Sequence, residues 1–105
     1  MHVVVFEVTV KPEVGHRYFD IAAELKPELE KIDGFISVER FESIVTPNKY
    51  VSLSFWRDED AVVRWREQDA HQTAQKMGKK EIFADFRISV AQIDRQYTMA
   101  DRMGH

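Results

Sequence analysis

Cysteine is absent from the 105 residues, which removes disulfides, thiolate metal sites and cysteine nucleophiles together and suits a reducing compartment. Basic excess is lacking as well. Fifteen Lys and Arg stand against 18 Asp and Glu, a formal net charge of -3, so the clustered basic stripe of a nucleic-acid partner is not expected. Lys76, Lys79 and Lys80 form a short run that reads as a solvated helix end. No apolar run approaches membrane-spanning length, and Met1 to Val10 has no basic leader and contains Glu7. The expectation is a cytoplasmic protein with neither nucleic acid nor membrane as a partner. Also missing are a Gly-rich phosphate loop, a nucleophile elbow and a paired acidic motif, and no two of His2, His16 and His105 have metal-ligand spacing. Neither a redox metal nor a nucleotide cofactor is expected.

What is present is enough apolar residue, 44%, for one core in a single domain. His2 to Val10 alternates with the period of a strand, Val4, Phe6, Val8 and Val10 on one face and Val3, Val5, Glu7 and Thr9 on the other. Val14, Tyr18, Ile21, Leu25, Leu29 and Ile32 recur at helical intervals, with Pro27 expected to kink or restart the helix and Asp33 and Gly34 to close it. Phe35 to Ile44 and Tyr50 to Arg57 alternate on either side of a Thr46 to Lys49 turn, a hairpin pattern. Phe86 to Gln96 alternates again. The tail, 98–105, has no period and reads as a mobile end or an arm on a partner.

Between the third and fourth strands lies the stretch from Phe55 to Gly78, where the chemistry is expected. Asp58 is placed to cap a helix carrying Ala61, Val62 and Trp65. Asp69 with Gln72 has the form of a capping box, which predicts a break near Glu67 to Asp69 and a second helix ending at Gly78. On that helix His71 and Gln75, four apart, share a face. Ile82 and Phe83 could add one more helical turn.

Strand, helix, strand, strand, helix, strand is the ferredoxin-like α+β plan, in which helices cover one face of an antiparallel sheet. The alternation assigns Val3, Val5, Phe35, Phe41, Tyr50, Trp56, Ala91 and Ile93 to the uncovered face, with Glu7, Glu39, Arg87, Ser37, Ser52, Ser54 and Ser89 among them. So apolar a surface calls for a partner, and a homodimer packed sheet to sheet is the economical solution. Glu7, Glu39 and Arg87 are then candidates for ion pairs in the interface or at its rim.

The element order, the SFWRDEDAVVRW segment, the AHQTAQKMG helix and the closing FRISVAQIDRQY strand resemble the antibiotic biosynthesis monooxygenase (ABM) family of dimeric α/β barrel proteins, over a domain spanning 1–97. The resemblance implies a dimer with a pocket in each subunit between the helices and the sheet. It implies one of several activities: metal- and flavin-free oxygen insertion into aromatic polyketides, quinol oxidation, or haem degradation. Haem-degrading members carry an Asn on the first strand, a Trp on the second helical region and an iron-ligating His ten residues beyond it. Here Trp65 matches, but Phe6 stands at the Asn position, Gln75 at the ligand position, and His71 one turn early.

The leading expectation is a cofactor-independent monooxygenase that binds a planar phenolic or quinol-like molecule and uses dioxygen. Trp65 would wall the pocket and offer an indole N–H, though a large aromatic at that position is also a core residue. His71, with an ordinary pKa of about 6.5, would deprotonate the substrate, against the alternative of a surface imidazole. Gln75 would hold a substrate oxygen or face solvent. Phe6, Phe55, Phe83 and Phe86 are pocket candidates and core candidates alike. The competing expectation is a non-catalytic or stress-related protein that only holds a hydrophobic ligand, with haem binding as a third.

Overall fold

The computed structural model describes residues 1–76 and 83–103, without the side chains of 69–76 and 103. Strand β1 (His2–Val10) leads through a 3-10 turn (Pro12–Val14) into helix α1 (Gly15–Glu30). The hairpin β2 (Phe35–Glu42) and β3 (Lys49–Trp56) follows, then helix α2 (Glu59–Lys76), strand β4 (Phe83–Gln92) and a short helix α3 (Met99–Met103). The strands form one sheet in the order β2-β3-β1-β4, and every neighbouring pair is antiparallel. This is the ferredoxin-like arrangement that the alternation predicts.

Register decides which side chains share a face, because successive residues of a strand point to opposite sides. Val4, Phe6 and Val8 of β1 stand opposite Ser54, Ser52 and Tyr50 of β3 and Val90, Ile88 and Phe86 of β4. This is the side the helices cover, since Val4 packs with Ala61, Val62 and Trp65 of α2, and Val8 and Val10 with Tyr18 of α1. Tyr50, Ser52, Ser54 and Trp56 therefore lie under the helices, not on the open face where the sequence pattern put them. Trp56 is 0% exposed. Phe35 joins it there, because the β2–β3 register shifts between Phe35 and Ser37 and carries Phe35 opposite Trp56. On the open face Val51, Leu53 and Phe55 take their place, beside Val3, Val5 and Ala91 as expected.

Helix α2 runs unbroken through Asp69, against the expected break. From Glu59 to Lys76 there is no Gly or Pro, and an Asp alone costs a helix a few tenths of a kcal/mol, roughly, too little to interrupt one already nucleated. Its start is as predicted: Asp58 Oδ1 accepts the Ala61 N–H at 2.9 Å. Helix α1 also continues past Pro27 to Glu30, so the proline sits within its last turn, where the helix absorbs it. Phe83 begins β4 rather than extending a helix. The tail carries a short helix where none was expected. Its start is a reciprocal cap, with Thr98 Oγ1 accepting the Asp101 N–H (3.1 Å) and Asp101 Oδ2 accepting the Thr98 N–H (2.9 Å). The expected stop at Gly78 and the role of Ile82 lie outside the described residues.

The beginnings of β2 and α2 are clasped together. Arg57 donates to both carboxylate oxygens of Asp33 (3.1 and 2.9 Å) and to Asp58 (3.1 Å), while Arg64 reaches the Asp33 carbonyl at 2.9 Å. The Arg57 N–H also meets the Gly34 carbonyl at 2.7 Å. Gly34 has φ +97°, and a Cβ there would stand 2.6 Å from the Ala61 Cβ. Glycine answers both demands.

Candidate functional site

The helix side of the sheet holds two neighbouring clusters. In the first, Trp65 of α2 lies against Trp56, ring centroids 5.8 Å apart, and Phe35 meets Trp56 edge-on at 5.3 Å. The Trp56 indole N–H donates to Ser54 Oγ at 2.9 Å, so the buried tryptophan leaves no polar atom unpaired. Trp65 itself is only half-buried. In the second cluster Phe6, Phe83 and Phe86 form a triangle with centroids 5.8, 5.9 and 6.0 Å apart. Tyr18 presents its edge to Phe83 at 5.6 Å, and its hydroxyl accepts a hydrogen bond from Arg40 Nε at 3.0 Å.

Cover by the helices is uneven. Helix α2 rests on β1 and β3, and the helix-side residues of β4 stay open: Phe86 is 43% exposed, Ile88 41% and Val90 46%. With Phe6 and Phe83 they form an apolar strip along β4, an open trough in the sense that α2, resting on the neighbouring strands, is its one wall. Three of the expected pocket residues, Phe6, Phe83 and Phe86, thus come together. Phe55 does not, because it pairs with Val3 on the opposite face. Trp65 stands in the neighbouring cluster, beside Val4. Ile88 and Val90 were missed, although the every-second-residue spacing Phe86, Ile88, Val90 was in plain view. His71 and Gln75 belong to α2, with position 71 about 1.7 turns and position 75 about 2.8 turns beyond Trp65; their side chains lie outside the described residues.

At the far end of the trough His2 stands between Trp56 and Gln92. Its Nδ1 is buried with no hydrogen-bond partner. On the open face, Glu7 accepts a hydrogen bond from Arg87 Nε at 2.7 Å and forms ion pairs with Arg87 Nη2 at 2.6 Å and Lys49 at 3.7 Å. The Arg87 bond, and then the neighbouring positive charges, hold the Glu7 carboxyl below its ordinary range. A shallow cleft of about 280 Å³, lined in part by Val5, Glu7, Lys49 and Val51, lies beside this group. No cluster of three or more His, Asp or Glu able to hold a metal occurs among the described residues, and no helix there is long and apolar enough to cross a membrane.

Comparison with known proteins adds to this geometry. Residues 1–77 match the family model for antibiotic biosynthesis monooxygenase. The chain belongs to that family. A jasmonate monooxygenase ABM of Pyricularia oryzae is 42% identical over 93 residues, which is 89% of this chain and 43% of that protein. The chain thus spans less than half the length of this curated relative. Among solved structures, Rv0793 from Mycobacterium tuberculosis superposes with a TM-score of 0.78 at 15% identity, covering 92% of this chain and 98% of that one. SnoaB, a cofactor-independent oxygenase from Streptomyces nogalater, superposes with a TM-score of 0.73 at 18% identity, covering 90% and 94%. At such identities these two establish a shared fold. The haem-degrading pattern within the ABM family does not fit the described residues: Phe6, where those members carry Asn, is committed to the aromatic triangle.

Proposed function

We propose that this ABM protein is a cofactor-independent monooxygenase acting on a small, largely apolar molecule seated in the trough along β4. One observation carries the reading: a row of half-exposed apolar side chains, Phe86, Ile88 and Val90, on the sheet side that faces the helices. A monomer has no structural need to leave that row open, whereas a ligand does. A planar phenolic or quinol-like ring would lie against β4 with Trp65 as the neighbouring wall. Loss of a proton from such a ring produces an electron-rich carbanion that attacks dioxygen. One oxygen atom stays as a new carbonyl, the other leaves as water, and the substrate supplies the electrons. His71 is the base this chemistry calls for and Gln75 a second polar contact. His71 lies about 1.7 turns beyond Trp65 on the same helix, and its substitution is the decisive variant for this role.

The jasmonate relative favours a second substrate class, an alicyclic ketone bearing an acid side chain, which the same trough would hold through its apolar body. The open face, with Val3, Val5, Leu53 and Phe55, is where a second copy would pack. Oxygen uptake measured with a panel of hydroquinones, polycyclic phenols and jasmonic acid tests the enzymatic reading. Turnover with one class, lost in Ile88→Arg and reduced at least tenfold in His71→Ala, supports it. Tight ligand binding without oxygen uptake points to a hydrophobic-ligand carrier, and a Soret band on haemin titration to haem.

A further inference from the structure

We infer that His2 is the polar anchor of the trough, so that the preferred ligand is amphiphilic: an apolar body along Val90, Ile88 and Phe86, ending in an oxygen acceptor at the imidazole. The inference rests on the trough being the ligand site. Cross-strand register places His2 and Gln92 opposite each other on the helix side, next in line after the Val4–Val90 and Phe6–Ile88 pairs. The trough therefore runs from an aromatic end at Phe6, Phe83 and Phe86 to a polar end at His2 and Gln92. From Ile88 to Gln92 is about 13 Å at strand rise, the length of a bicyclic ring with a short polar arm.

The polar end has unused hydrogen-bonding capacity. Among the described residues, the only buried side-chain nitrogen or oxygen without a partner is His2 Nδ1. Such an atom is costly to leave unpaired and asks for an explanation. Its neighbours Val4 and Trp56 offer no acceptor or donor, since the Trp56 N–H is taken by Ser54. His2 as a residue is only partly buried, so a turn of the ring about its Cβ–Cγ bond is the movement that would bring Nδ1 to a ligand. A ligand oxygen there supplies the missing partner, and the exposed Gln92 amide can add a second bond to the same atom.

The test compares three probes that share a ring system: naphthalene, 1-acetonaphthone and 1-naphthaleneacetic acid. Binding is followed by quenching of the two tryptophans in wild type, His2→Phe and His2→Gln. The expected result is that His2→Phe leaves naphthalene affinity unchanged but weakens an oxygen-bearing probe about tenfold, with partial recovery in His2→Gln. Whether the ketone or the acid is the probe affected tells carbonyl from carboxylate recognition. Retained naphthalene binding shows that the variant is folded. If all probes bind wild type and His2→Phe weakens none, or all equally, the anchor is overturned and the trough stands. If no probe binds wild type, the trough reading fails and the anchor falls with it.

Discussion

Trp56 offers the sharpest test of how the two sides of the sheet are assigned. The structure buries it completely, against Phe35, Val4, Ala61, Val62 and Trp65, with its indole N–H on Ser54. Truncating a tryptophan in such a place costs about 3–5 kcal/mol. Leaving the buried Ser54 hydroxyl without its partner adds about 1 kcal/mol. Set against the roughly 5–15 kcal/mol that holds a domain of this kind together, Trp56→Ala removes a large share. Its melting temperature should fall by at least about 16 °C, at about 4 °C or more per kcal/mol. Because that variant can fail to fold, Trp56→Phe serves beside it: a smaller aromatic ring stays, the hydrogen bond goes, and the loss should be smaller than for alanine, about 1–3 kcal/mol. Urea unfolding followed by Trp65 fluorescence and far-ultraviolet circular dichroism measures both. An exposed-face tryptophan would instead act through self-association, with unfolding midpoints that depend on protein concentration. If Trp56→Ala costs under about 1 kcal/mol at fixed concentration, the assignment of faces is wrong.

Further outcomes follow from other parts of the fold. Gly34→Ala should destabilise by about 2–4 kcal/mol in urea unfolding, because its φ of +97° and the 2.6 Å approach to Ala61 add a backbone penalty to an overpacking one. Phe55→Glu should leave the melting temperature of the single chain nearly unchanged but shift sedimentation towards monomer, if two copies meet on the open face. Acid should weaken the fold in a defined way. Asp33 is held below its ordinary pKa first by the Arg57 hydrogen bond, Asp58 first by the Ala61 N–H, and Glu7 first by Arg87. Their contributions are complete above the ordinary carboxylate range of about 4 and are lost as pH falls through the lowered values. Urea midpoints between pH 6 and pH 2 should show this decline, with a shallower slope in Arg57→Gln.

The order of elements, the first-strand alternation and the Asp58 cap were all legible in the sequence, because each depends on local spacing and local chemistry. The ABM assignment followed from the same features and holds. What could not be read locally is which side of β3 faces the helices. YVSLSFW, residues 50–56, sets two serines between Tyr50 and Trp56 on one parity and apolar residues throughout on the other. Two serines next to Tyr50 and Trp56 look like a wet face. They are instead the inner one, since small side chains at 52 and 54 leave room beneath the helices, and the Ser54 hydroxyl satisfies the indole it sits beside. A pattern of polarity cannot distinguish a serine that faces water from one that makes space and accepts a buried hydrogen bond.

The same misreading moved a pocket residue. Once β3 is turned over, Phe55 passes to the open face with Val51 and Leu53, and the inner side loses one of its expected pocket aromatics but gains the buried Trp56. The clasp of Arg57 on Asp33 and Asp58 then acquires a purpose: it fixes the start of α2 three residues after Trp56, so that Trp65 is carried against it. Helix α2 is thereby held over β3 and β1, and β4, the last strand on that side, keeps its inner face uncovered. The openness of Phe86, Ile88 and Val90 is a consequence of where the tryptophan pair anchors the helix. A variant that loosens this anchor, such as Arg57→Gln, should therefore change ligand affinity in the trough although Arg57 lies outside it.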